Sequence, residues 1–124
     1  MNSILIGSWL FVSMLYQGKV IDPPNPDLKI EYTFYEDGTN LLHYHREGEQ
    51  GSCDRLALYE YNGSEIHQQV TWVAPHNASF CSSDPDMQLE RVTRTPASIK
   101  DGQFYLSLRV GQEDVIYIWD RKKN

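Results

Sequence analysis

Apolar and polar residues alternate along most of this chain in short runs that are separated by turn-forming residues. A period of two is typical of a strand with one buried face, and no segment of useful length has the period of a helix. We therefore predict an all-β protein of eight strands, with a long loop at residues 75–86. The predicted strands cover residues 5–16, 29–35, 40–47, 53–61, 65–74, 87–95, 103–110 and 115–121.

The turn at Asp37-Gly38 predicts a hairpin between the second and third strands, because both residue types tolerate the positive φ of a type I′ turn. With a two-residue loop, Tyr32 faces His43 across the hairpin. Residues two apart on a strand share a face, so His43 and His45 are predicted to lie with Tyr32 and Phe34 on the more apolar, interior face. A slip of one residue would reverse every face.

Two further hairpins follow from the same reasoning. Asn62-Gly63 is a second strong turn signal, and the last two strands are close enough for a loop of about four residues. The first of these hairpins is predicted to place Ala57, Tyr59, Ile66, Gln68, Val70 and Trp72 on one face, with Cys53 opposite Trp72. The second is predicted to place Phe104, Leu106, Leu108 and Val110 beside Val115, Tyr117, Trp119 and Arg121.

Eight short strands joined mostly by hairpins favour an antiparallel up-and-down β-barrel. A chain of 124 residues is expected to form a single domain, residues 1–124. A barrel of this strand number has an interior that side chains can just fill, or that can hold one small ligand. The two ends of the chain are expected to lie on neighbouring strands that close the barrel.

Short motifs at both ends of the chain resemble those of lipocalins. Gly7-Ser8-Trp9 is similar to the Gly-x-Trp motif of that family, and the stretch YTFYEDGT at residues 32–39 looks like small bacterial lipocalin-like domains. The resemblance implies a lipocalin-like (calycin) barrel in which a basic residue of the last strand packs across the tryptophan at the closed end. Arg121 is in the place of that residue, so Gly7, Trp9 and Arg121 receive structural roles.

Charge and hydrophobicity exclude two classes of partner. The net charge is −6, and the only basic run is the C-terminal 121–123, so nucleic acid is not expected as a partner. No apolar run approaches the roughly 20 residues that span a bilayer. The apolar N-terminal stretch lacks the basic residues and the clear cleavage site of a signal peptide, and we interpret it as the start of the first strand.

Cys53 and Cys81 are the two cysteines, and neither belongs to a Cys-x-x-Cys pair. We predict that they form a disulfide, which would close a loop of roughly 30 residues and contribute ~3 kcal/mol. Disulfides persist in oxidising compartments, so the protein is expected to be periplasmic or secreted.

His43 and His45 allow several interpretations. As metal ligands they supply two donors where a tight site needs three or four, and His67 is predicted to lie on the opposite face of its own hairpin. As acid–base groups they lack a readable nucleophile or orienting carboxylate, so we do not expect an enzyme. They can instead form a polar lining hydrogen-bonded to Tyr32 or water, or contact a ligand directly. No metal or cofactor is predicted.

Aromatic side chains on the predicted interior faces suit a binding pocket, which is usually apolar with a few placed polar groups. We therefore expect non-enzymatic binding or transport of a small hydrophobic or amphipathic ligand. The alternative is a filled barrel that acts as a protein-interaction or inhibitor module through its loops, with residues 76–86 as the contact surface. The candidate ligand-binding residues are Tyr32, Phe34, His43, His45, Tyr59, Gln68, Trp72, Phe104 and Tyr117.

Overall fold

Antiparallel strands in one sheet make up the protein. The computed structural model describes residues 4–123, and within them it contains nine strands and two short 3-10 helices, at Ser79–Ser83 and Pro85–Met87. The strands are β1 (Gly7–Tyr16), β2 (Lys19–Ile21), β3 (Leu28–Phe34), β4 (Thr39–Arg46), β5 (Cys53–Tyr61), β6 (Glu65–Val73), β7 (Val92–Lys100), β8 (Gln103–Val110) and β9 (Glu113–Arg121).

Pairing of the first strand with the last closes the sheet into a barrel. β1 pairs with β3 along one edge and with β9 along the other, so eight strands form the closed antiparallel barrel that the sequence predicts. The additional strand β2 pairs with the end of β1. It was not predicted. The turn before it is Gln17-Gly18, and both residues have positive φ, as in a type I′ turn.

The register of the β3–β4 hairpin differs from the prediction by one residue. Phe34 pairs with Asn40, and Tyr32 pairs with Leu42 rather than with His43. Only Gly38 of the turn has positive φ, which excludes a type I′ turn, and Tyr35 N donates to Thr39 O across a three-residue loop. The extra loop residue moves His43 and His45 to the outer face of β4, so their predicted interior position is wrong.

The other two predicted registers slip by two residues, which preserves the faces. Tyr59 pairs with Gln68 in the β5–β6 hairpin, and Phe104 pairs with Trp119 in the β8–β9 hairpin. A β-bulge in β5–β6 pairs Leu56, not Cys53, with Trp72, and the Trp72 side chain is 41% exposed. Its predicted place among the interior residues is therefore wrong.

β7 lies further along the chain than predicted. The strand begins at Val92, whereas residues 85–87 form a 3-10 helix. Its first half pairs with β6 and its second half with β8, and Pro96, opposite Glu65, is the last residue paired with β6. Proline cannot donate to a ladder, so it is tolerated at the point where the strand changes partner.

Aromatic side chains fill one end of the barrel. Trp9, Phe34, Phe104 and Trp119 are almost completely buried there. Phe104 lies within 5.6–6.1 Å, between ring centroids, of the other three. Tilted and edge-to-face pairs at these separations are favourable beyond the area that they bury. This filled end is the closed end of the barrel.

Arg121 covers Trp9 at the closed end. Its guanidinium carbon lies 4.1 Å from the indole centroid, and its two terminal nitrogens donate to the carbonyls of Ile6 and Ile4 at 2.7 and 3.1 Å. Gly7 has a φ of +125°, and a Cβ there would lie 2.8 Å from Arg121 Nη1. The glycine therefore leaves the space that the guanidinium needs.

Replacing Arg121 with methionine is expected to lower the free energy of unfolding by about 1–2 kcal/mol, because a cation–π contact and two charge-assisted hydrogen bonds are lost. Urea titration monitored by tryptophan fluorescence measures the change. Lys122→Met is the matched control, because the Lys122 side chain forms a solvent-accessible ion pair with Glu31 at 3.1 Å, and such pairs contribute little. Equal effects of the two substitutions would contradict the role assigned to Arg121.

Candidate functional site

A cavity of about 1250 Å³ occupies the other end of the barrel. It lies at the end that carries the Gln17-Gly18 turn, where β3 begins and β8 ends. Its apolar wall comes from inward-facing positions of the strands, and the loop between β6 and β7 covers part of its mouth. The apolar lining includes Leu15, Leu28, Ile30, Leu42, Ile66, Phe80, Leu106, Leu108, Val115, Tyr117 and Trp119.

A network of four polar side chains lies between the cavity and the aromatic closed end. Tyr32 and Asn40 both donate to Gln68 Oε1, at 2.8 and 3.0 Å. Arg55 donates through Nη1 to Asn40 Oδ1 at 2.5 Å and through Nη2 to the Tyr32 hydroxyl at 3.1 Å. The guanidinium also lies 5.5 Å from the Tyr32 ring centroid. Tyr32, Arg55 and Gln68 line the cavity, so the network forms part of its polar wall.

Arg55 is the buried cation of this network, with 2% of its surface exposed. An arginine keeps its proton in proteins, so the charge persists despite burial. No aspartate or glutamate oxygen among residues 4–123 lies within ion-pair distance of it, and its Nε has no acceptor there. A buried charge that forms no direct ion pair is costly.

The loop between β6 and β7 is attached to the barrel by the predicted disulfide. Cys53 of β5 is bonded to Cys81 in the first 3-10 helix. The Tyr44 hydroxyl of β4 donates a hydrogen bond to Asp84 Oδ2 in the same loop. Burial, followed by the hydrogen bond and the charge of Asp84, raises the pKa of Tyr44, so this hydroxyl stays protonated as a donor.

Asp86 brings a carboxylate to the mouth of the cavity. Asp86 is exposed to solvent and lines the cavity. Desolvation by the surrounding protein raises the pKa of its carboxyl group. The neighbouring charge of Asp84 raises that pKa further, whereas Arg55 and Arg91 act in the opposite direction. The mouth of the cavity therefore holds charges of both signs.

The two histidines of β4 belong to a separate outer cluster. His43 Nδ1 lies 2.7 Å from Asp54 Oδ1, and His43 Nε2 lies 3.1 Å from His45 Nδ1. His76 Nε2 is 3.7 Å from the other Asp54 oxygen. Across the described part of the chain, no group of three or more histidine, cysteine, aspartate or glutamate side chains is placed to hold a metal ion.

The candidate binding residues divide between three locations. Tyr32, Gln68 and Tyr117 line the cavity, and His45 borders it. Phe34, Tyr59 and Phe104 are buried core residues outside the cavity lining. His43 and Trp72 also lie outside the lining.

The polar network at the centre of the site was not predicted from the sequence. Asn40 and Arg55 are absent from the candidate binding residues, although the pattern of β5 contains a signal for Arg55. Its buried positions alternate from Cys53 to Tyr61, and Arg55 occupies one of them. A charged residue at an inward-facing position of an otherwise apolar strand face points to a polar function or a buried network.

Two solved structures resemble this chain in fold. One is a lipocalin-like protein from Bacteroides uniformis ATCC 8492, with a TM-score of 0.61 and 15% identity over 95% of this chain and 98% of that protein. The other is a mutant of the fluorescent protein UnaG, with a TM-score of 0.51 and 9% identity over the whole of both chains. No protein-family model and no curated protein matches the sequence.

The described residues, 4–123, include no helix with the length and hydrophobicity needed to cross a bilayer.

The closed eight-stranded barrel and its strand order agree with the folds of the two similar solved structures. The chain therefore has a lipocalin-like β-barrel fold.

Proposed function

We propose that this protein reversibly binds a small apolar or amphipathic molecule inside its barrel. The observation that carries the proposal is the cavity of about 1250 Å³ at the open end. Small-molecule sites are typically concave, mostly apolar and equipped with a few polar groups, and the network around Tyr32 supplies such groups. The alternative of a filled barrel requires a solid interior, and the cavity does not support it.

Burial of ligand carbon provides the affinity in this proposal. Each Å² of apolar surface removed from water contributes about 25 cal/mol, so a ligand that covers the leucine and isoleucine walls gains several kcal/mol. The similarity of the fold to that of a lipocalin-like protein is compatible with this role. A non-enzymatic function is part of the proposal, as is location in the periplasm or outside the cell, which the disulfide supports.

The neutral dye phenylnaphthylamine tests the proposal, because its fluorescence increases in an apolar environment. We expect saturable binding with a dissociation constant on the order of micromolar. Leu108→Trp places a larger side chain in the cavity wall and is expected to weaken dye binding at least tenfold. Native mass spectrometry of the freshly purified protein would also show any ligand retained from the cell.

Tyr105→Trp is the matched control, because Tyr105 lies on β8 beside Ile118 and does not line the cavity. It is expected to leave dye binding unchanged. Dye binding that is absent from the wild-type protein, or that weakens equally in both variants, would contradict an internal site.

A further inference from the structure

Arg55 is a buried cation that forms no direct ion pair among the described residues. Its protein partners, Asn40 and Tyr32, are neutral, and its Nε lacks an acceptor among the described residues. Neutral partners recover only part of the hydration that a buried guanidinium loses. The residue nevertheless lines the cavity that we propose as the binding site, where a ligand could supply the directly bonded anion that Arg55 lacks.

Trp119 provides a second, independent observation that points to a hydrogen-bond acceptor on the ligand. Its indole Nε1 is also a buried donor without an acceptor within residues 4–123, and Trp119 also lines the cavity. Its ring centroid is 5.6 Å from that of Tyr32, and the Arg55 guanidinium is 5.5 Å from the same ring. Two buried donors that lack acceptors therefore lie on either side of one tyrosine of the cavity wall.

We infer that the ligand is an amphipathic anion whose carboxylate, or similar anionic oxygen group, is held on the Arg55 side of the cavity while its apolar body lies against the aliphatic walls. This inference rests on the proposed function. An anionic oxygen group accepts several hydrogen bonds and pairs with a guanidinium more strongly than a neutral group does. It would compensate the buried charge and provide acceptors for donors that now lack them.

Asp86 opposes the same ligand. Its carboxylate is close enough to interact electrostatically with Arg55 and Arg91, and it faces the cavity. An incoming anion is repelled by this group while it is attracted by Arg55. Removing the charge of Asp86 should therefore strengthen binding of anions and leave binding of neutral molecules unchanged.

Dodecanoate and dodecanol, which share an alkyl chain and differ in the charged group, are the probes. Each is titrated against phenylnaphthylamine bound to the wild-type protein at mildly alkaline pH, where the carboxylate is ionised. We expect dodecanoate to displace the dye at a concentration about tenfold lower than dodecanol, or lower still. Equal potency, or a preference for the alcohol, would overturn the inference while leaving the proposed function intact.

Two variants test the residues. Asp86→Asn is expected to improve dodecanoate binding severalfold without affecting dodecanol, and Arg55→Met is expected to abolish the preference for dodecanoate. Arg109→Met is the matched control, because Arg109 borders the cavity but is exposed. If it removes the preference as fully as Arg55→Met does, the rim and not the buried arginine selects the anion, and the inference fails.

Arg55→Met removes part of a buried network, so circular dichroism first establishes that the variant folds. If it does not, the wild-type preference and the Asp86→Asn result decide the question without it. If phenylnaphthylamine does not bind the wild-type protein, the proposed function is wrong. If the dye binds but dodecanoate is not preferred over dodecanol, only the inference about the anion is wrong.

Discussion

The protein in which both Cys53 and Cys81 are replaced by alanine is expected to have a free energy of unfolding about 3–4 kcal/mol lower than that of the wild type. The bridge joins residues 28 positions apart in the chain, so its loss gives the unfolded chain considerable conformational freedom. Both cysteines are buried, and they anchor the β6–β7 loop to β5. Urea unfolding of the two proteins measures the difference.

The matched comparison is wild-type protein with and without reductant. Reduction opens the bridge but keeps both sulfur atoms, and it therefore separates the effect of the cross-link from the loss of side-chain packing. We expect reduction to account for most of the destabilisation. An unfolding transition that is insensitive to reductant would show that the bridge contributes little to stability.

Phe104→Ala is expected to lower the free energy of unfolding by about 3–5 kcal/mol. The Phe104 side chain is fully buried and contacts the rings of Trp9, Phe34 and Trp119 at the closed end. The surrounding rings belong to β1, β3 and β9, so the cavity left by the substitution cannot close by movement of one strand. Chemical denaturation at several temperatures measures the change.

Phe80→Ala is the matched control for this substitution. Phe80 lies in the loop over the cavity and is 44% exposed, so its loss is expected to change the stability by less than about 1 kcal/mol. Similar destabilisation by the two substitutions would contradict the conclusion that the closed-end aromatic cluster, and not the loop, carries the packing energy.

The two ends of the barrel serve different purposes in this interpretation. The closed end is filled by aromatic rings, with Arg121 over Trp9, and it supplies packing energy. The open end has aliphatic walls around a cavity and a buried arginine with neutral partners. A protein can retain a costly buried charge at one end because favourable packing at the other end offsets it.

Much of the fold was predictable because a strand with one buried face requires apolar and polar residues to alternate along the sequence. The alternation of apolar and polar residues located β1, β3, β4, β5, β6, β8 and β9 to within a few residues. The Gly-x-Trp motif and the arginine that ends the last strand also indicate a lipocalin-like barrel, and the pairing of β1 with β9 closes it.

Register was less predictable, since it depends on the conformation of one or two turn residues. Asp37-Gly38 is compatible with a two-residue and a three-residue loop, and the choice reverses the faces of β4. The three-residue loop places Asn40 and Leu42 in the interior and His43 outside. The histidines that the pattern placed inside thus lie beside Asp54 on the outer surface.

The sequence by itself determined the number and kind of the barrel strands, the positions of most turns and the partners of the disulfide. Only the tertiary structure decided that one end of the barrel is hollow and that Arg55 lies buried in its wall. Alternation along a strand records which residues share a face, but it carries no information on how completely side chains from all the other strands fill the space in front of that face. The cavity and the burial of Arg55 without a direct ion pair are properties of the whole closed sheet.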